Sequence, residues 1–213
     1  MAKKLKILIV DDHAIFRHGL KDILAMHFPG VTIGEANTGE GAVEQVRKAD
    51  WNIVVLDVTM PGQNGVDVLR EIKQIQPALP ILMLSMHTEE QYALRVLEMG
   101  AAGYITKIKV PLEIVDAVKG ILAGGKYISP AMAERLVEQL KFGAEKLPHD
   151  RLSDREYQVM HLTSSGKSLK EIASELSISV QTVSTHRARI LKKMGLHTSA
   201  ELIRYTFEND LVD

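Results

Sequence analysis

Five short apolar runs in the first 125 residues, each followed by an amphipathic stretch, leave this chain few folds to choose from. Leu5–Val10, Val31–Ala36, Asn52–Leu56, Pro80–Ser85 and Gly103–Thr106 read as strands. Four of the five are nearly continuous in apolar side chains, the pattern of strands covered on both faces of a parallel sheet. Between them, Ala14–His27, Gly39–Ala49, Val66–Gln76, Glu89–Met99 and Leu112–Ala123 place apolar residues three and four apart, the helix period. Thr38 and Thr88, the latter followed by Glu89-Glu90-Gln91, stand where helix N-caps belong, and Gly100 and Gly124 stand where helices stop. Such alternation predicts a doubly wound α/β domain of flavodoxin-like strand order, a (βα)5 unit.

Around Gly124-Gly125 the alternation ends. Residues 130–142 predict one isolated helix, and Gly143–Asp150, poor in apolar groups, predicts an exposed linker. Beyond it the pattern is purely helical. Ser153-Asp154-Arg155-Glu156 has the capping-box form, and helices are expected over residues 154–165, 168–176, 180–194 and 198–208, a small all-α four-helix domain. The expected division is therefore 4–125, a linker at 126–149, and 150–213. The absence of cysteine excludes a disulfide framework, a thiol nucleophile and a cysteine-ligated metal. No apolar run is long enough to span a bilayer, and the N-terminus lacks signal-peptide form, so a soluble cytoplasmic protein without membrane attachment is expected.

Ligands of open parallel sheets bind outside the carboxyl ends of the strands. Here the first strand ends in Asp11-Asp12, the third reaches Asp57, the fourth ends in Ser85, and Lys107 follows the fifth. Carboxylates gathered at one rim repel each other and resist ionisation unless a cation neutralises them. Mg²⁺ suits the set, since it takes oxygen ligands in octahedral geometry and keeps room for water and phosphate oxygens. A carboxylate beside such a metal can attack a phosphoryl group, because the metal screens its charge and stabilises the developing equatorial oxygens.

Ile9-Val10-Asp11-Asp12-His13, Leu56-Asp57-Val58-Thr59-Met60-Pro61-Gly62, Leu84-Ser85 and Gly100-Ala101-Ala102-Gly103-Tyr104-Ile105-Thr106-Lys107 together resemble the signatures of a bacterial response-regulator receiver domain. The resemblance implies that Asp57 accepts a phosphoryl group from a sensor histidine kinase. It implies that Asp11, Asp12, Asp57 and the Thr59 backbone carbonyl hold Mg²⁺, and that Lys107 pairs with the phosphoryl group. Ser85 matches the family's switch hydroxyl and Tyr104 its switch aromatic. A phosphoryl group adds nearly two negative charges and three acceptor oxygens. Drawing the Ser85 hydroxyl toward them vacates space into which the Tyr104 ring can turn, repacking the face made by the fourth helix, fifth strand and fifth helix. Carrying such an element from 1:99 to 99:1 takes about 5.5 kcal/mol of preference for the active state.

The net charge of −1 hides an asymmetry. Residues 1–130 carry 14 Lys and Arg against 15 Asp and Glu, whereas residues 180–197 carry four cations and no acid. Local charge, not the total, decides affinity for nucleic acid. Leu169, Ile172, Ala173 and Leu176, a turn at Ser177-Ile178-Ser179, and then Val183, Ile190, Leu191 and Met194 give helix–turn–helix spacing. Stepped at about 100° per residue, Gln181, Thr185, Ala188, Arg189 and Lys192 lie opposite Val183, flanked by Thr182 and Ser184. Helices of this kind set their N-terminal half against base edges in the major groove, with cations further along meeting phosphates.

Leu152-Ser153-Asp154-Arg155-Glu156, Gly166-Lys167-Ser168-Leu169-Lys170-Glu171-Ile172-Ala173 and Val180–Met194 resemble the LuxR-type helix–turn–helix. With that resemblance, the last helix is expected to make a dimer contact through Leu202, Ile203 and Tyr205. The two domains together resemble the NarL/FixJ subfamily of response regulators. This implies a transcriptional regulator that binds double-stranded DNA, is a homodimer when active, and turns over no external substrate. Two other readings stay open: a pseudo-receiver that works without phosphorylation, and an aspartyl-phosphate phosphohydrolase. The second lacks the carboxylate two residues after Asp57 that would serve as acid, because Thr59 stands there.

Overall fold

The computed structural model describes residues 4–60, 63–86, 89–130, 133–134, 147–209 and 211. The chain divides into two compact units, Met1–Glu138 and Gln139–Asp213. In the first, five strands, β1 (Lys6–Val10), β2 (Thr32–Ala36), β3 (Ile53–Asp57), β4 (Ile81–Ser85) and β5 (Gly103–Thr106), alternate with α1 (Ala14–His27), α2 (Gly39–Lys48), α3 (Gly65–Ile75), α4 (Glu89–Glu98) and α5 (Val110–Leu122). All strand pairs are parallel and the order is β2-β1-β3-β4-β5, the flavodoxin-like doubly wound topology.

The burial explains why the apolar runs read so clearly. Every residue of β3, β4 and β5 is buried, while β2, at one edge, buries only Ala36. Ile7, Ile9, Ile53, Val55, Leu82, Leu84 and Ile105 pack with Leu20 and Leu24 of α1 and with Ile114, Ala117, Val118 and Ile121 of α5 in one cluster. Each fully buried Leu or Ile contributes about 2 kcal/mol relative to exposure. Local chemistry sets the helix ends. The Thr38 hydroxyl accepts the Gly41 amide at the start of α2, and Gly100 and Gly124 take positive φ just after α4 and α5.

The outer edge of β5 is not bare. Tyr127 forms a parallel bridge with Gly103, its carbonyl accepting the Tyr104 amide at 3.2 Å and its amide donating to Ala102 O at 2.9 Å. The Tyr127 hydroxyl donates to Glu113 of α5. The apolar alternation, which fades at Gly124, carries no sign of this pairing.

The second unit opens with a single 3-10 turn, Pro148–Arg151, followed by α6 (Asp154–Ser164), α7 (Leu169–Glu175), α8 (Val180–Met194) and α9 (Ser199–Glu208). The exposed linker expected over Gly143–Asp150 is corrected at its end. His149 is buried and its Nδ1 lies 2.8 Å from the Tyr205 hydroxyl of α9, so the turn belongs to the helical unit. Thr88, residues 143–146, and nearly all of the helix expected at 130–142, lie outside the described residues. Ser153 closes a full capping box with Glu156, and Ser168 closes a second with Glu171. Val183, Ile190 and Met194 of α8 are buried with Ile172, Ala173 and Leu176, the face assigned to them by helical stepping.

Candidate functional site

Strand register builds the rim of the first unit. Val10 pairs with Leu56, Asp57 with Leu84, and Ser85 with Thr106, so β1, β3, β4 and β5 end level with one another. Asp11 and Asp57 are almost completely buried there, with Ser85 at the end of β4 and Lys107 just beyond β5 at the same rim. Lys107 Nζ stands 2.7 Å from Asp57 Oδ2 and 2.8 Å from Asp11 Oδ2. The Lys107 amide donates to Ser85 O at 2.7 Å, which fixes the root of that side chain. Its ammonium lies 4.8 Å from the centre of the Phe16 ring, a cation–π contact that helps hold the charge in a buried place. Arg17 Nη1 donates to Asp11 O at 2.7 Å, and the Thr59 amide donates to Asp57 Oδ1 at 3.3 Å.

Gly65 lets α3 begin against this loop. A Cβ there would stand 1.9 Å from Asp57 O and 2.9 Å from Val58 Cα, and the Gly65 amide donates to Val58 O. No side chain fits at that distance, so the α3 N-terminus and the backbone of Asp57 are clamped together. Sequence reasoning passed over this glycine. The signal for it was the Asn64-Gly65 pair preceding the apolar-periodic stretch, with Asn64 capping α3 through the Val66 amide.

Electrostatics at the rim are unbalanced. Burial pushes the Asp57 carboxyl up to about 6, Lys107 and the Thr59 amide pull it back down, and the Asp11 charge adds to the rise. For Lys107, burial works against the charge, but Asp57 and Asp11 outweigh it and hold the ammonium above its ordinary value. Ligand atoms of Asp11, Asp12, His13 and Asp57 all lie within 4.8 Å of one another. Asp11 Oδ2 and Asp12 Oδ1 are buried without a well-aligned hydrogen bond; the first faces only the Lys107 ammonium and the second faces His13 Nδ1 at 2.9 Å. Hard, under-satisfied oxygens at one point form an acidic pocket compatible with Mg²⁺. His13 was not among the residues expected here. Tyr104, the expected switch aromatic, is buried on β5, two strands from Asp57 and opposite Met83 of β4 in the register.

In the second unit the outward face of α8 is as open as helical stepping requires. Gln181, Thr182, Thr185, Ala188, Arg189 and Lys192 are exposed and Ser184 is half-buried. No acid among the described residues pairs with Arg189 or Lys192. Ser177 takes φ 51° in the turn before α8, and Ser179 caps the helix by accepting the Thr182 amide at 3.0 Å. The dimer residues are placed differently from expectation. Leu202 is fully buried inside its own unit and is therefore core, and the Tyr205 hydroxyl is engaged by His149; Ile203 is half-buried, and Phe207 is a large, exposed apolar residue of α9.

A cross-link fixes the inner side of α8. Glu156 accepts from the Ser153 amide at 2.7 Å and from Lys193 Nζ at 2.6 Å. Burial opposes its charge, yet Lys193 and Ser153 outweigh that and hold the carboxyl below its ordinary 4.5. The folded chain thus binds this proton less readily than the unfolded one. The stabilisation is complete above about pH 4.5 and is lost as pH falls through the lower folded value. Wild type is expected to lose more thermal stability than Glu156→Gln on acidification from about pH 6 to about pH 3, and parallel curves would contradict the assignment.

Comparison with known proteins finds a family match for each unit. Residues 7–119 match the model of the response regulator receiver domain, and residues 150–206 match that of the bacterial regulatory proteins of the luxR family. The response regulator UvrY of Escherichia coli K12 is 33% identical over 209 residues, covering 97% of this chain and 95% of that protein. RcsB of Salmonella enterica serovar Typhimurium, bound to promoter rprA in the presence of the phosphomimetic BeF3⁻, superposes with TM-score 0.63 at 26% identity, covering 95% of this chain and 98% of that one. A structure of two RcsB dimers bound to two parallel DNAs gives TM-score 0.59 with the same identity and coverage.

Proposed function

The chain belongs to the response regulators that join a receiver domain to a LuxR-type DNA-binding domain, and from that premise we propose that phosphorylation of Asp57 controls dimerisation and DNA binding by α8. The observation that carries this reading is the Lys107 ammonium held between Asp57 Oδ2 and Asp11 Oδ2 at the strand ends. In the reaction, an Asp57 carboxylate oxygen attacks the phosphorus of a phosphohistidine on a sensor kinase. The new P–O bond forms as the P–N bond breaks, and the imidazole leaves. Asp11, Asp12, Asp57 and the Thr59 carbonyl would hold Mg²⁺, which when bound neutralises charge on the phosphoryl oxygens. Lys107 is already charged and donates to one of those oxygens. The Ser85 hydroxyl follows another, and Tyr104 turns into the space it leaves.

Residues 4–128 act as the phospho-acceptor domain and 148–213 as the DNA-binding domain in the cytoplasm, the linker expected at 126–149 being shortened at its two ends by the pairing of Tyr127 and the burial of His149. Gln181, Thr182, Ser184, Thr185 and Ala188 face base edges, and Arg189 and Lys192 face phosphates. The dimer contact uses Ile203 and the outward Phe207 instead of Leu202, with Tyr205 held in place behind them. That RcsB occurs as dimers on DNA supports the same assembly here. The test is genome-wide mapping of bound sites with and without a phosphodonor. Occupancy that rises with the donor is expected, and occupancy indifferent to it favours the pseudo-receiver reading.

Binding must also be salt-dependent, because cations at phosphates release counterions. Arg189→Ala and Lys192→Ala are each expected to lower the slope of log affinity against log salt by about one. Unchanged slopes on titration of a labelled duplex would move the interface elsewhere.

A further inference from the structure

We propose that His13 is a nitrogen ligand of the rim site, entering through Nδ1 when the bound ion is a first-row transition metal such as Mn²⁺. The proposal rests on the reading of the acidic rim as a divalent-cation site. His13 Nδ1 stands 3.2 Å from Asp11 Oδ1 and 2.9 Å from Asp12 Oδ1. Neighbouring ligands of an octahedral ion with bonds of about 2.1 Å lie about 3 Å apart. The ring nitrogen is therefore at ligand spacing from both carboxylate oxygens, and Asp57 closes the group within 4.8 Å.

The backbone places the ring there. His13 is the N-cap residue of α1, yet its side chain makes no capping bond. The His13 amide instead donates to Asp11 Oδ1 at 2.8 Å, and the ring folds back over the same carboxylate. At 65% exposure, the imidazole can enter or leave a coordination position without disturbing the core, whereas the opposite wall, Asp11 and Lys107, is buried and fixed. Mg²⁺ dehydrates reluctantly and prefers oxygen, so it uses the carboxylates and water and leaves His13 aside. Imidazole binds first-row transition ions, and Mn²⁺, the weakest binder of that series and the nearest to Mg²⁺ in its preference for oxygen, is the most demanding case. One side chain thus separates the two classes of ion at a shared site.

The experiment uses the tag-free full chain with one equivalent of Mn²⁺, pulsed EPR for ¹⁴N coupling, and titrations with Mn²⁺ and Mg²⁺. Nitrogen coupling is expected in the wild type and should vanish when excess Mg²⁺ displaces the ion. His13→Ala should lose the coupling and about tenfold in Mn²⁺ affinity while Mg²⁺ affinity stays within about twofold. A wild-type spectrum without nitrogen coupling, or equal losses for both ions in His13→Ala, overturns the proposal while leaving the acidic site intact. Asp12→Asn separates the two levels: undiminished binding of both ions there overturns the rim reading itself, and His13 ligation with it.

Discussion

Asp57→Asn is expected to leave the chain unlabelled by acetyl phosphate and Mg²⁺, while making the metal-free protein more stable by about 3 kcal/mol at pH 7. The first effect is nearly absolute, because an amide is no nucleophile for phosphorus and the proposed phospho-acceptor is this carboxylate. The second follows from the cost of burying the charge. Burial raises the carboxyl from 3.8 to about 6, so the folded state binds this proton more tightly than the unfolded one. The ionised fold then carries its full deficit above about pH 6, and the deficit fades as pH falls toward 3.8. Asparagine removes the deficit, so its advantage should be present at pH 7, absent near pH 4, and reduced by Mg²⁺. Mass spectra and urea unfolding at the two pH values measure both effects. A phosphoryl label on the Asp57→Asn chain, or a stability difference that ignores pH, would refute the arrangement.

Lys107→Ala should cost about 3 kcal/mol at pH 8, since it leaves two almost fully buried carboxylates facing each other without their shared cation. The loss should be smaller near pH 5, where Asp57 can take up a proton, and smaller again in the Asp57→Asn background, where one of the two charges is gone. The difference between the two backgrounds isolates the pair, because the residues are in direct contact. Denaturant titration of the four chains of this cycle gives the coupling. If the losses simply add, Lys107 is not coupled to Asp57.

Much of the fold was legible because burial on both faces leaves long apolar runs. β3 and β4, wholly buried, are legible to within a residue, and β2, an edge strand with one buried residue, is legible through Ile33 within it and Val31 just before it. The helix starts at Ala14, Gly39, Glu89 and Val180 could be read to the residue from periodicity and caps. The rim acids were legible because parallel topology alone brings strand ends together. Three features were not. The Tyr127 bridge is made by backbone atoms, to which side-chain patterning is blind. The clamp at Gly65 depends on a distance across a loop. His149 and Leu202 looked available because a polar linker and an amphipathic last helix do not reveal that both are buried within the helical unit.

The strand-like pairing of Tyr127 has a practical meaning for where the first unit stops. Its closing helix ends at Leu122, but the Tyr104 amide on the outer strand and the Ala102 carbonyl just before that strand find their partner only five residues later. A fragment trimmed at Gly125 would present that margin naked, and an unprotected margin of a sheet invites a second molecule to zip onto it. Retaining Lys126 through Ile128 keeps it sealed by the chain's own continuation.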